Sequence, residues 1–232
     1  MSEFTRLIDE SPGATNEGWH EDWHKLAAVL AQQGETALYR EHCRKSIERL
    51  GNSLDPVASL RFAKDCLLLP DSGVDPRALD RLIDLSISAP RPRPGPPPSG
   101  NRPAEYGAPN RTGRPPTRWM ALSVKALAEY RKGDFESAVT WAERTLANPQ
   151  LAGAVTIQTS ATLAMARHHL NQRLLAQQAL MKAQNNASDR LPNLEDGRHV
   201  GGDWVNVIVC HTLLREAKAL LEADSRTEAE KK

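Results

Sequence analysis

The feature that most restricts this chain is the spacing of its apolar residues, which recur at a helical period along most of its length. Leu79, Leu82, Ile83 and Ile87 form one such stripe, and Val207, Ile208, Cys210, Leu213, Leu214, Ala217, Leu220 and Leu221 form another. Residues three and four apart share a helix face, whereas a half-buried strand needs strict alternation. Alternating runs rich in Val, Ile and Thr are nearly absent, so the expected class is all-α.

Local punctuation divides the helices. The first is expected from near Trp19 to Gln33, ending at Gly34. A second runs from Glu35 to Leu50 and stops at Gly51, with Tyr39, Cys43, Ile47 and Leu50 on one face. Asp55-Pro56 and Asp75-Pro76 each pair a capping carboxylate with a proline at the first helical position. The helix opened by Asp55 carries Leu60, Ala63, Cys66 and Leu67 and is expected to break at Pro70. Residues 19–88 thus read as N-terminal hairpins behind an unstructured segment, 1–18. From 89 to 116 the composition turns to Pro, Gly and Arg, which cannot bury enough apolar surface to offset ordering entropy. That insert is expected to be mobile or polyproline-like. Helices resume over 117–223: Arg118 to Lys132, Asp134 to Leu146, about Val155 to Leu170, Leu174 to Gln184, and a last one opening at Gly201-Gly202-Asp203-Trp204. Leu175, Ala176, Ala179, Leu180 and Ala183 are the stripe of the fourth of these. Residues 224–232 read as a charged tail.

The hairpins repeat. Ala126 to Ala138 reads Ala-Leu-Ala-Glu-Tyr-Arg-Lys-Gly-Asp-Phe-Glu-Ser-Ala, which resembles the tetratricopeptide turn. Gly133 can take the left-handed conformation that ends a helix, Asp134 caps the next, and Ala126 and Ala138 let two backbones approach. Ala164 to Ala183 repeats this with Asn171 at the glycine position, and Trp23 to Ser46 repeats it with bulky Tyr39 where a small residue is usual. The expected architecture is an α-α superhelix of tetratricopeptide-like hairpins. Tyr39 to Arg44, Ala63 to Pro70, Lys125 to Val139, Ala164 to Leu170 and Leu213 to Leu221 come in an order that resembles the C-terminal helical-repeat region of eukaryotic-like serine/threonine kinases of planctomycete-type bacteria. The resemblance spans about Trp19 to Leu221 without the insert, and it implies kinase-associated signalling with no assigned molecular role. The kinase itself is missing: no Gly-rich phosphate loop, HRD or DFG occurs in the sequence.

Charge narrows the partner class. Thirty basic and 29 acidic side chains leave a net +1, with no basic field to hold a phosphate backbone, so nucleic acid is not expected. No apolar run reaches the ~18 residues of a membrane span, and Met1 to Gly18 lacks an apolar signal core, so no membrane association and a cytoplasmic location are expected. Cys43, Cys66 and Cys210 form no CxxC pair and fall on apolar stripes, which fits buried reduced thiols. No cofactor is expected. His168-His169 close a helix, where imidazolium suits the carbonyl-rich end. The Pro-Arg run from Arg91 to Pro98 could fit an SH3-like groove as a polyproline helix, although a disordered insert is the favoured account.

Two functional readings from different classes remain. The first is a non-catalytic scaffold that binds another protein or peptide in a concave groove lined by the first helix of each hairpin. Lys125, Glu129, Arg167 and His168 are its candidate contacts. The second is a zinc hydrolase on His20-Glu21-Asp22-Trp23-His24. This HExxH sets two imidazoles one helical turn apart, with Glu21 as base. Leu30 stands where an extended motif would place a third histidine, and Trp23 falls on a packing stripe, both of which favour the scaffold.

Overall fold

The structure, a computed structural model, describes residues 19–50, 55–89, 118–149, 151, 153–192 and 204–229. Segment 1–18, Gly51, the Pro/Arg insert from 90 onward, Gly201 to Asp203 and the last three residues lie outside the described residues. Among the described residues there are nine helices and no strand. They are α1 (Trp19–Gln33), α2 (Thr36–Leu50), α3 (Pro56–Asp65), α4 (Pro76–Ser88), α5 (Arg118–Lys132), α6 (Phe135–Leu146), α7 (Ala154–His169), α8 (Arg173–Arg190) and α9 (Trp204–Ala229).

Each consecutive pair folds back as an antiparallel hairpin, and α2, α4 and α6 each also pack on the first helix of the next hairpin. The first helices α1, α3, α5 and α7 contact one another in that order, so four hairpins stack in sequence. The start signals act locally. Asp55 Oδ1 accepts from the Val57 amide at 2.9 Å, Asp75 Oδ1 from Arg77 at 2.9 Å, and Asp134 Oδ1 from Ser137 at 3.0 Å. Gly133 turns at φ +83°, and Asn171 takes φ +59°, the one positive φ outside glycine among the described residues. Asn tolerates that region better than most side chains, which is why the α7–α8 turn survives without a glycine.

Several elements depart from the sequence reading. Helix α3 ends at Asp65 rather than near Pro70, because long-range donors claim its last carbonyls. The Tyr39 hydroxyl donates to Asp65 O, and the Arg131 guanidinium donates to the carbonyls of Leu67 and Leu68. Tyr39 is fully buried in consequence. Helix α8 runs on to Arg190, and Leu175, expected on its buried stripe, is 41 % exposed. The stripe is instead Ala176, Ala179, Ala183 and Ala187, a row of methyl groups set close to α7. Helix α9 continues to Ala229, beyond the start expected for the charged tail.

One hydrophobic core runs through both halves, from Trp23 and Tyr39 through Leu79 and Ile83 to Val124, Leu127 and Leu213. The contact of α4 with α5 carries it across the insert. Helix α9 completes it. It packs on α7, α8 and α1, and its polar side chains reach α3 and α5 through Asn206 and Glu216. Val205, Val209, Cys210, Leu213 and Ala217 are buried there. The chain's own last helix therefore lies along the face formed by the four first helices.

Candidate functional site

The groove candidates are held by neighbours within the fold. Lys125 Nζ, on α5, sits 2.9 Å from Asp80 Oδ1 and 3.7 Å from Asp84 of α4, and 3.1 Å from Glu129. Lys132 joins the same cluster at 2.7 Å from Glu129 and 3.1 Å from Asp80. Burial alone would push the Asp80 carboxyl up, but hydrogen bonds from Lys125 and Lys132 outweigh it and hold the group below the usual carboxylate range. For Lys125, burial is likewise overcome by its bonds to Asp80 and Glu129, and its ammonium is held more firmly than in water. Lys125 and Glu129 thus stitch the two halves together. Arg167 pairs with Glu143 of α6 at 2.5 Å and points toward Leu175 O. His168 stands edge-on to His169, whose ring stacks on Phe135 at 4.3 Å. These four residues do not converge on a common site: two belong to the junction of α4 and α5, and two to the α6–α8 end.

The HExxH residues meet helix α3. Arg61 Nη1 donates to His20 Nδ1 at 2.8 Å, and Arg61 Nη2 lies 3.4 Å from Glu21. His24 Nδ1 donates to Asp65 Oδ1 at 2.6 Å. Burial lowers the pKa of His20, with the Arg61 charge second. Burial also lowers that of His24, outweighing the favourable Asp65 carboxylate. The guanidinium between His20 and Glu21 occupies the space and supplies the charge that a bound cation would need. No group of three potential ligands forms among the described residues.

Beneath His24 lies a buried polar knot. Tyr39, Cys43 and Cys66 meet there, and the Cys66 thiol is pushed up by contact with the Cys43 thiol and then by burial. Cys43, Cys66 and Cys210 are buried, and no disulfide joins them. A cleft of about 160 Å³ opens beside this knot, between the α3–α4 loop and α5, floored by Leu67, Val74, Leu79 and Ala128. Its cations, Arg131 and Lys132, are already paired with Glu216, Asp80 and Glu129.

The face formed by the first helices is closed by α9. Arg131 makes a bidentate pair with Glu216 while its Nε and Nη2 reach Leu67 O at 3.0 Å and Leu68 O at 3.1 Å. Lys64 Nζ donates to Asn206 at 2.9 Å, and Arg215 donates to Gln32 at 2.8 Å. The Cys210 thiol lies 3.6 Å from Gln158 Nε2.

A different surface is left uncovered. Leu174, Leu175 and Met181 are 67, 41 and 56 % exposed, and they are the large exposed hydrophobics of the described residues. All three lie on α8, the second helix of the fourth hairpin. The sequence carried a signal for this surface. Once the alanine row is taken as the buried side, Leu174 and Met181, seven positions apart, must share the outer one. Among the described residues no helix is long and apolar enough to cross a membrane. Compared with known proteins, the chain matches no family model, no curated protein and no solved structure at a significant level.

Proposed function

We propose that this chain is a non-catalytic scaffold for another protein or peptide, and that the outer face of α8 is its contact surface. The observation that carries the reading is the row of Leu174, Leu175 and Met181, exposed on a helix whose other side is packed. In a stack of hairpins each outer helix is covered by the next repeat, so an apolar outer face at the fourth hairpin is a surface built to be covered. The self-filled face of the first helices favours this surface over the groove first expected. A place beside serine/threonine kinase signalling is part of the proposal on sequence resemblance alone, and the HExxH is assigned to packing because Arg61 and Asp65 engage it.

The test is affinity capture from the source organism with the wild-type chain and with Leu174→Glu/Met181→Glu. The expected result is a defined partner recovered by the first and lost from the second, and recovery of a kinase would support the signalling context. Equal recovery by both chains, or recovery by neither, would refute the α8 assignment. Stoichiometric zinc in untagged protein, lost in His20→Ala, would overturn the non-catalytic reading.

A further inference from the structure

The outer face of α8 differs from those of the other second helices in charge as well as in apolar content. The exposed residues of α2 include Arg40 and Arg44, those of α4 Arg81 and Asp84, and those of α6 Glu136 and Glu143. On α8 the side opposite the alanine row runs through Leu174, Gln177, Gln178, Met181, Gln184 and Asn185, all exposed and none charged. At 3.6 residues per turn these lie within about 60° of Met181, and Arg173 and Lys182 stand on the two flanks.

An uncharged stripe restricts its occupant. A charged foreign helix finds no ion to pair with there, so charge cannot select it. A second copy is a different matter. A two-fold axis sets a surface against itself, and a charged stripe would then meet its own sign. Carboxamides meet themselves well, because each carries both donors and an acceptor. The stripe therefore has the composition that self-pairing requires, large apolar side chains spaced by glutamines.

The register follows from the spacing. With two helices antiparallel and the axis midway between Gln177 and Gln178, Leu174 of one copy lies opposite Met181 of the other, and both such pairs form at once. Gln177 and Gln178 fill the centre. The axis keeps each flank on its own side of the seam. Lys182 of one copy then passes Leu175 of the other, and its methylenes cover that leucine while the ammonium stays in water. Arg173 is on the far flank, so the two cations are not opposed. One operation covers all three of the large exposed hydrophobics of the described residues.

We propose that α8 is the two-fold interface of a homodimer, in which Leu174 and Met181 of two copies pack reciprocally across Gln177 and Gln178. This rests on the reading of α8 as the contact surface and names the protein it binds, a second copy of this chain. One helix from each copy buries less than the roughly 800 Å² per partner of a standard interface, so the association is reversible and depends on concentration.

Sedimentation equilibrium of the full-length chain tests it, over about 5 to 500 μM to bracket the weak association that so small an interface gives. The average mass of the wild type is expected to rise from one chain towards two across that range. Met181→Glu should hold it at one chain, because each carboxylate would be set against a leucine and lose its water. Leu174→Lys/Met181→Glu should pair again, in a salt-sensitive way, since the antiparallel register sets each new cation against the other copy's new carboxylate. Both positions are exposed, so these variants leave the core untouched. A wild type that stays at one chain throughout would overturn the proposal, as would pairing that Met181→Glu leaves unchanged. Failure of the doubly substituted chain to pair would overturn it too, because the register would be wrong. Partner capture separates this from the broader reading. If the wild type stays at one chain while recovery of a different protein still depends on Leu174 and Met181, the self-pairing fails and the α8 scaffold stands. If the wild type pairs as described and capture returns only its own chain, the partner of α8 is the second copy.

Discussion

Arg131 is 8 % exposed at its side chain and joins three parts of the molecule at once: its own α5, the carbonyls beyond α3 and the Glu216 carboxylate of α9. Removing it strands both a half-buried carboxylate and two backbone acceptors. Arg131→Ala is therefore expected to lower unfolding free energy by about 3–5 kcal/mol in urea titration. Arg131→Lys should recover little of that, because one ammonium cannot serve a bidentate carboxylate and two carbonyls together. His24 behaves differently. Burial keeps its imidazole neutral below the ordinary value of 6.5, so the unfolded chain takes up a proton before the folded one does. Its contribution is fully present above pH 6.5 and is lost as the pH falls below it. His20 shifts in the same direction. Thermal melts should show Tm falling from about pH 7.5 to about pH 5.5, and His24→Gln should flatten that slope while lowering Tm at the upper end. The caps at Asp55, Asp75 and Asp134 and the turns at Gly133 and Asn171 were legible in the sequence, since each acts within a few residues of itself. The partners of Arg131 and His24 were not. Their contacts lie 41 to 85 residues away, and periodicity carries no information about which distant helix a polar side chain will meet.

At the scale of the element, α8 is the instructive case. Its apolar residues spread round the helix, and the stripe expected from the sequence put Leu175 and Leu180 together with Ala176, Ala179 and Ala183. Close approach sets the orientation: small side chains let α8 lie against α7, Leu180 packs at the edge of the core, and Leu174, Leu175 and Met181 are left outside. Ala183→Leu is expected to cost about 1–3 kcal/mol by overpacking that contact. Met181→Glu on the opposite side should change stability by no more than about 0.5 kcal/mol. Parallel denaturation curves check both, and equal losses would mean the two faces had been reversed. The end of α3 shows the opposite limit. Its C-terminus was set by Tyr39 and Arg131, residues of other helices, so Pro70 was a misleading stop signal.

Across the whole molecule, helices and hairpin order were readable because the apolar period and the turn residues are repeated many times over. What was not readable is the destination of α9, since an amphipathic helix states that it needs a cover and not which one. Of the stripe drawn on it, Val207, Cys210, Leu213 and Ala217 are buried and Ile208, Leu214, Leu220 and Leu221 half-buried. Val205 and Val209, left off the stripe, are buried because the helix is packed on more than one side. Its position against α1, at the far end of the stack, makes the first and last elements neighbours. With a core continuous from Trp23 to Leu213, unfolding is expected to be one cooperative event. Circular dichroism and tryptophan fluorescence should give coincident melts. Separated transitions would mean that the halves on either side of the insert fold independently.

The placement of α9 also bears on how the protein is born. Translation proceeds from the N-terminus at roughly 5–20 residues per second, and hairpins made of local contacts can form as they leave the ribosome. Their shared apolar face has no cover until α9 has been made and has emerged in turn. For that interval the nascent chain carries four formed hairpins and one open seam, and it is then that chaperones would find the most to hold.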